Sequence, residues 1–84
     1  MKRTEIYQEL KNNPKNVRYE KICRVVRQFG FIFARQKGSH RIYKRQGVKE
    51  LLDFQNVQGK VKSYQVKQFL KVVEDYKLLE EGKQ

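Results

Sequence analysis

An α+β fold, with helices packed on one face of a three-stranded antiparallel sheet, is the architecture this sequence predicts. Three observations lead to it. Apolar residues recur at helical spacing over 18–29 and again from Val66 to Tyr76. Between those stretches the period falls to two, in segments rich in aromatic and branched side chains. Gly38-Ser39 and Gln46-Gly47 punctuate those segments as turns do. The order is α, α, β, β, β, α, and a meander covered on one face is the simplest way to bury both helical stripes.

The first helix is expected over 4–12, with Thr4 as its cap and Ile6 and Leu10 one turn apart. Asn12-Asn13-Pro14 ends it, because a proline disfavours helical backbone in the residue before it. Residues 1–16 thus form an N-terminal helical extension ahead of a main unit at 17–79. The second helix, 18–29, carries Tyr19, Ile22, Cys23, Val26 and Phe29 on one stripe and closes at Gly30. Phe31–Lys37 and His40–Arg45 then make a hairpin around Gly38-Ser39, which suits a type II′ turn. A regular ladder pairs Lys37 with His40, Arg35 with Ile42 and Phe33 with Lys44, and places Phe31, Phe33 and Ile42 towards the core. Leu51–Gln55 is the third strand. Ser63 is the expected cap of the last helix, where Val66, Phe69, Leu70 and Val73 share a face, and 80–84 is expected to fray. Cys23, Tyr19 and Tyr64 read as buried or core-edge packing residues.

With 84 residues there is room for one small domain. Its 20 Lys+Arg exceed its 9 Asp+Glu, a net charge of +11, which points to a polyanion, and at this size to nucleic acid. The longest apolar run, Phe31-Ile32-Phe33-Ala34, is too short for a membrane span, and Met1-Lys2-Arg3 leads into no apolar signal segment. A single cysteine, Cys23, makes neither an internal disulfide nor a zinc site. A cytoplasmic setting without membrane or cofactor is therefore expected.

The charge is concentrated. Between Glu20 and Glu50 lie Lys21, Arg24, Arg27, Arg35, Lys37, Arg41, Lys44, Arg45 and Lys49, with no acid among them. Spread over a helix and a hairpin, they are expected to form a patch that tracks a phosphate backbone, with Lys21, Arg24, Arg35, Lys37, Arg41, Lys44 and Arg45 as its RNA-binding members. No phosphate-binding glycine loop, metal-ligand motif or nucleophile elbow is present. The titratable group of interest is His40, directly after the Gly-Ser turn, since an imidazole moves protons near neutral pH.

Gly30-Phe31, Arg35-Gln36-Lys37-Gly38-Ser39-His40 and Ile42-Tyr43 together closely resemble the HicA family, the RNA-cleaving toxins of bacterial and archaeal toxin–antitoxin pairs. The resemblance covers 17–79. It implies a fold like the double-stranded-RNA-binding domain, metal-independent cleavage of mRNA, and neutralisation by a HicB-type antitoxin, which should be acidic where it meets residues 21–49. The family's catalytic histidine maps onto His40, with Gly38 and Ser39 forming the turn that positions it. Where many members carry Val-Pro-x-His at the third strand, this chain has Asp53-Phe54-Gln55-Asn56-Val57, and the extension at 1–16 marks a longer subgroup. The competing expectation is a non-catalytic RNA-binding module of the same fold, in which His40 is only a turn residue.

Overall fold

The computed structural model describes residues 2–80. Within them the elements run α1 (Arg3–Asn12), α2 (Tyr19–Gln28), β1 (Ile32–Lys37), β2 (His40–Lys44), β3 (Leu52–Gln55) and α3 (Ser63–Asp75). The sheet is antiparallel in the order β1-β2-β3, so the α+β layout expected from the periodicities is the one observed. No helix among the described residues is long and apolar enough to cross a membrane. Of the tail expected to fray, all but Glu80 lies outside the described residues.

Helix starts differ from the sequence expectation. Thr4 is inside α1 and the chain enters the helix through Lys2, whose backbone N–H donates to the Glu5 carboxylate at 3.4 Å. Arg3 joins the first turn because its guanidinium is held there, donating to the backbone carbonyls of Gln28 at 3.1 Å and Leu78 at 3.2 Å. Ser63 is likewise the first residue of α3, and Lys62 holds the cap position without a side-chain bond.

Helix ends follow one scheme. At α2 the Gly30 N–H donates to the Arg27 carbonyl and the Phe31 N–H to that of Val26, closing the orphan carbonyls around a left-handed Gly30. At α3 the Lys77 N–H donates to Glu74 and the Leu78 N–H to Val73 in the same way. Phe31 and Leu78, the residues that follow, are buried and anchor each turn apolarly.

The hairpin departs from a regular ladder at one point. Lys37 pairs with His40 and Arg35 with Ile42 as expected, but Phe33 pairs with Tyr43 and Ile32 with Lys44, because Ala34 is an extra residue in β1. The shift turns Phe33 to the side of Tyr43, where their rings meet edge-on at 6.0 Å. Gly38 takes φ of 61° at the tip, as a type II′ turn requires of its first central residue.

The core takes in Phe31 as expected but not Ile42. Tyr43, Leu52 and Phe54 are buried against α2 and α3, Phe33 lies on their side of the sheet at 45% exposure, and Ile42 is half-buried on the other face. The third strand decides this: Leu52 and Phe54 alternate with Asp53 and Gln55, and Tyr43 is paired with Leu52. Burying the two apolar partners together with Tyr43 contributes about 1.5–3 kcal/mol per large side chain, and across β2 and β3 the other face offers only Ile42, beside His40, Lys44, Asp53 and Gln55. Phe29 and Phe31 pack edge-on against Phe69, and α1 adds Ile6, Tyr7 and Leu10 to the same core. Tyr64 is not a core-edge residue. At 60% exposure it lies off the buried stripe of α3, which runs through Gln65, Val66, Phe69, Leu70, Val72 and Val73.

Candidate active site

The face of the sheet away from the helices is open. Strand alternation from the observed register puts Ile32, Arg35 and Lys37 of β1, His40, Ile42 and Lys44 of β2, and Asp53 and Gln55 of β3 on it. Near the hairpin tip a shallow depression of about 440 Å³ is lined by Lys37, Gly38, His40, Ile42 and Asp53.

His40 is the first residue of β2, directly after the two-residue turn, and its side chain is 37% exposed. Its Nδ1 lies 2.7 Å from Oδ1 of Asp53. The two residues are diagonal neighbours, since Asp53 stands opposite Ile42 and His40 opposite Gln55, and the carboxylate reaches across to the ring. Asp53 is absent from the site expected on sequence grounds.

The turn is tied to the third strand. The Asn56 N–H donates to the Ser39 carbonyl at 2.9 Å, and the Gln55 side-chain amide reaches the Ser39 hydroxyl at 3.5 Å. Gln55 in turn donates its backbone N–H to the Gln65 side-chain carbonyl at 3.0 Å. Gln65, only 3% exposed, thus holds the end of β3 from the first turn of α3. Within β1's end, the Gln36 side-chain amide donates to the Gly38 carbonyl at 3.1 Å, bracing the tip from the other strand.

The basic residues separate into groups. Arg35, Lys37 and Lys44 share the open face with His40, and all three are exposed. Arg41 alternates to the helix side, where its guanidinium stacks 5.3 Å above the Tyr19 ring. Arg45, half-buried, lies against Gly30, where an added Cβ would come within 2.9 Å of its Nε. Lys21 is paired with Glu9 across the α1–α2 junction, and Arg24 is exposed on α2. Tyr43 is fully buried on the other side of the sheet, where burial raises its phenol above the usual tyrosine range and keeps it away from His40's face.

Among the described residues no cluster of three His, Cys, Asp or Glu side chains is placed to hold a metal ion. A 37% exposed imidazole with a carboxylate on one nitrogen is suited to proton transfer through the other, and the flanking Lys37 is suited to a phosphoryl oxygen.

Alternation alone would have found Asp53 once the buried face was known, because Leu52 and Phe54 inside require Asp53 outside. Gln65 carried no such signal: a glutamine on an apolar stripe reads as an interruption until its partner is seen.

Comparison with known proteins adds one match. The family model described as HicA toxin of bacterial toxin-antitoxin matches residues 19–74, from the start of α2 almost to the end of α3. Neither the curated proteins nor the solved structures give a significant match.

Proposed function

The chain belongs to the HicA family of toxins, generally ribonucleases held in check by a cognate antitoxin, and from that premise we propose that it cleaves mRNA without a metal through His40. The observation that carries the reading is the placement of the imidazole: half-open, at the rim of a depression it shares with Lys37, on a sheet face that no helix covers.

Cleavage of this kind uses the substrate's own 2′-hydroxyl. A base removes its proton, the oxygen attacks the adjacent phosphorus, and the P–O bond to the 5′-oxygen breaks, its electron pair leaving with that oxygen, which takes a proton. His40 acts through Nε2 as acid or base. Lys37 stabilises charge on the phosphoryl oxygens, and Arg35 and Lys44 hold neighbouring phosphates. The antitoxin is assigned to the HicB type, acidic where it covers this face, and the reaction to the cytoplasm, where the message is. The main unit is taken as 17–79, with α1 as an extension braced on its core.

The test is induced expression of wild type and His40→Ala in a bacterial host, with growth and mRNA integrity followed, and purified protein assayed with a chelator present. Growth arrest and cleavage by wild type alone, unchanged by chelator, is the expected result. A folded His40→Ala that binds RNA and cleaves it at the wild-type rate overturns the reading. Binding without cleavage by wild type leaves the non-catalytic module as the function.

A further inference from the structure

We infer that Asp53 is a positioning residue for His40, fixing which ring nitrogen exchanges protons; the inference rests on the catalytic reading of His40 given above. The geometry is direct. A carboxylate only accepts, so at 2.7 Å from Asp53 Oδ1 the proton between the two groups belongs to His40 Nδ1. In the neutral ring this leaves the lone pair on Nε2, and in the protonated ring it leaves Nε2–H as the exchangeable proton. Base and acid steps therefore both run through the same atom, the one not occupied by Asp53.

The charge pattern argues that this is the carboxylate's purpose. Asp53 shares the open face with Arg35, Lys37 and Lys44, a surface otherwise suited to phosphate. A negative charge there opposes a polyanion, so it weakens the grip of the face on RNA. Its side chain is 49% exposed and outside the core, and the hydrogen bond the structure gives its carboxylate is the one to His40. An acid that opposes substrate binding and supports no packing is explained by what it does to the imidazole.

Two consequences of opposite sign follow, which separate this role from that of an ordinary surface charge. Removing the carboxylate should leave RNA binding as tight as wild type or tighter, and should lower the rate of the bound complex by roughly 10- to 100-fold, the scale of a lost orienting partner. The ring can be watched directly, because His40 is the only histidine in the chain and gives a single pair of imidazole nitrogen resonances.

The experiment compares wild type, Asp53→Ala, Asp53→Asn and His40→Ala, using a short single-stranded RNA. Imidazole ¹⁵N NMR gives the tautomer, single-turnover cleavage the rate, and titration of a non-cleavable 2′-deoxy analogue the affinity. The expected result is an Nδ1–H tautomer in wild type that Asp53→Ala loses, with slower cleavage and undiminished affinity in both Asp53 variants. An Nε2–H tautomer in wild type, or cleavage by Asp53→Ala within twofold of wild type, overturns the inference. If that occurs while His40→Ala is inactive, the catalytic reading stands without Asp53. If His40→Ala cleaves normally, the catalytic reading falls, and the positioning role with it.

Discussion

Gly30 and Lys77 occupy equivalent places at the ends of α2 and α3, each with left-handed backbone, φ 88° and 54°. Glycine meets that requirement without strain and lysine does not. Lys77→Gly relieves a left-handed cost of about 1–2 kcal/mol against about 0.5–1 kcal/mol of extra chain entropy and should therefore stabilise the protein, and Gly30→Ala should destabilise it by about 1–2 kcal/mol. The second change also brings a Cβ to 2.9 Å from the half-buried Arg45 Nε, which adds to the backbone cost. Urea unfolding midpoints measure both, and a Lys77→Gly variant less stable than wild type would contradict the account of the helix end.

Gln65→Leu keeps the bulk of a buried side chain and removes the acceptor for the Gln55 N–H. An unsatisfied backbone donor costs about 1–3 kcal/mol. Loss of that stability should come with faster hydrogen exchange at Gln55 and Asn56, the two amides that tie β3 to Gln65 and to the Ser39 turn. Unchanged exchange at Gln55 would show that water replaces the side chain.

RNA affinity should fall steeply with salt. Each phosphate contact with a single strand contributes about 0.7 to the slope of log affinity against log salt. Lys37→Ala combined with Lys44→Ala should lower that slope by about 1.4 across unrelated sequences. Lys21→Ala, whose ammonium already faces Glu9, should change it less. A salt-independent affinity would remove the phosphate-gripping role from this face.

Alkaline pH should unfold the protein through two phenols. Burial, reinforced by the hydrogen bond to Glu74, pushes Tyr7 up to about 12. Burial, with the Cys23 thiol beside it and Arg41 acting against, pushes Tyr19 up to about 12 as well. The unfolded chain releases these protons near the ordinary tyrosine value of 10.0, before the native one does, so the stability present below that pH is lost as pH rises towards 12. Melting temperature should fall across that window, and Tyr7→Phe should flatten the fall while costing about 1 kcal/mol near neutrality for the lost hydrogen bond.

The elements and their order were legible because periodicity is local. Ile22, Cys23, Val26 and Phe29 declare one helix face, and Gly38-Ser39 declares a hairpin tip. The face the sheet buries was not legible from β1 and β2 alone, where apolar and basic residues occupy both sides. It depended on β3, four residues long, where Leu52 and Phe54 outweigh Ile42. The position of His40 after the turn could be read from the chain, whereas its contact with Asp53 depends on strand register between residues 13 positions apart in sequence. Register was misread because Ala34, small and unremarkable, gives no compositional sign that it is the extra residue.

That extra residue sets where the hairpin can change length. Phe33 and Arg35 face opposite sides of the sheet although two positions apart, and removing Ala34 would make them immediate neighbours, which face opposite sides in any regular strand. A chain shortened there keeps its aromatic ring on the helix side and its guanidinium on the open side. A deletion of one residue between Arg35 and Lys37 has the contrary effect, turning one part of the strand over relative to the other. Position 34 is thus the point at which the hairpin tolerates an insertion or deletion without exchanging its two surfaces.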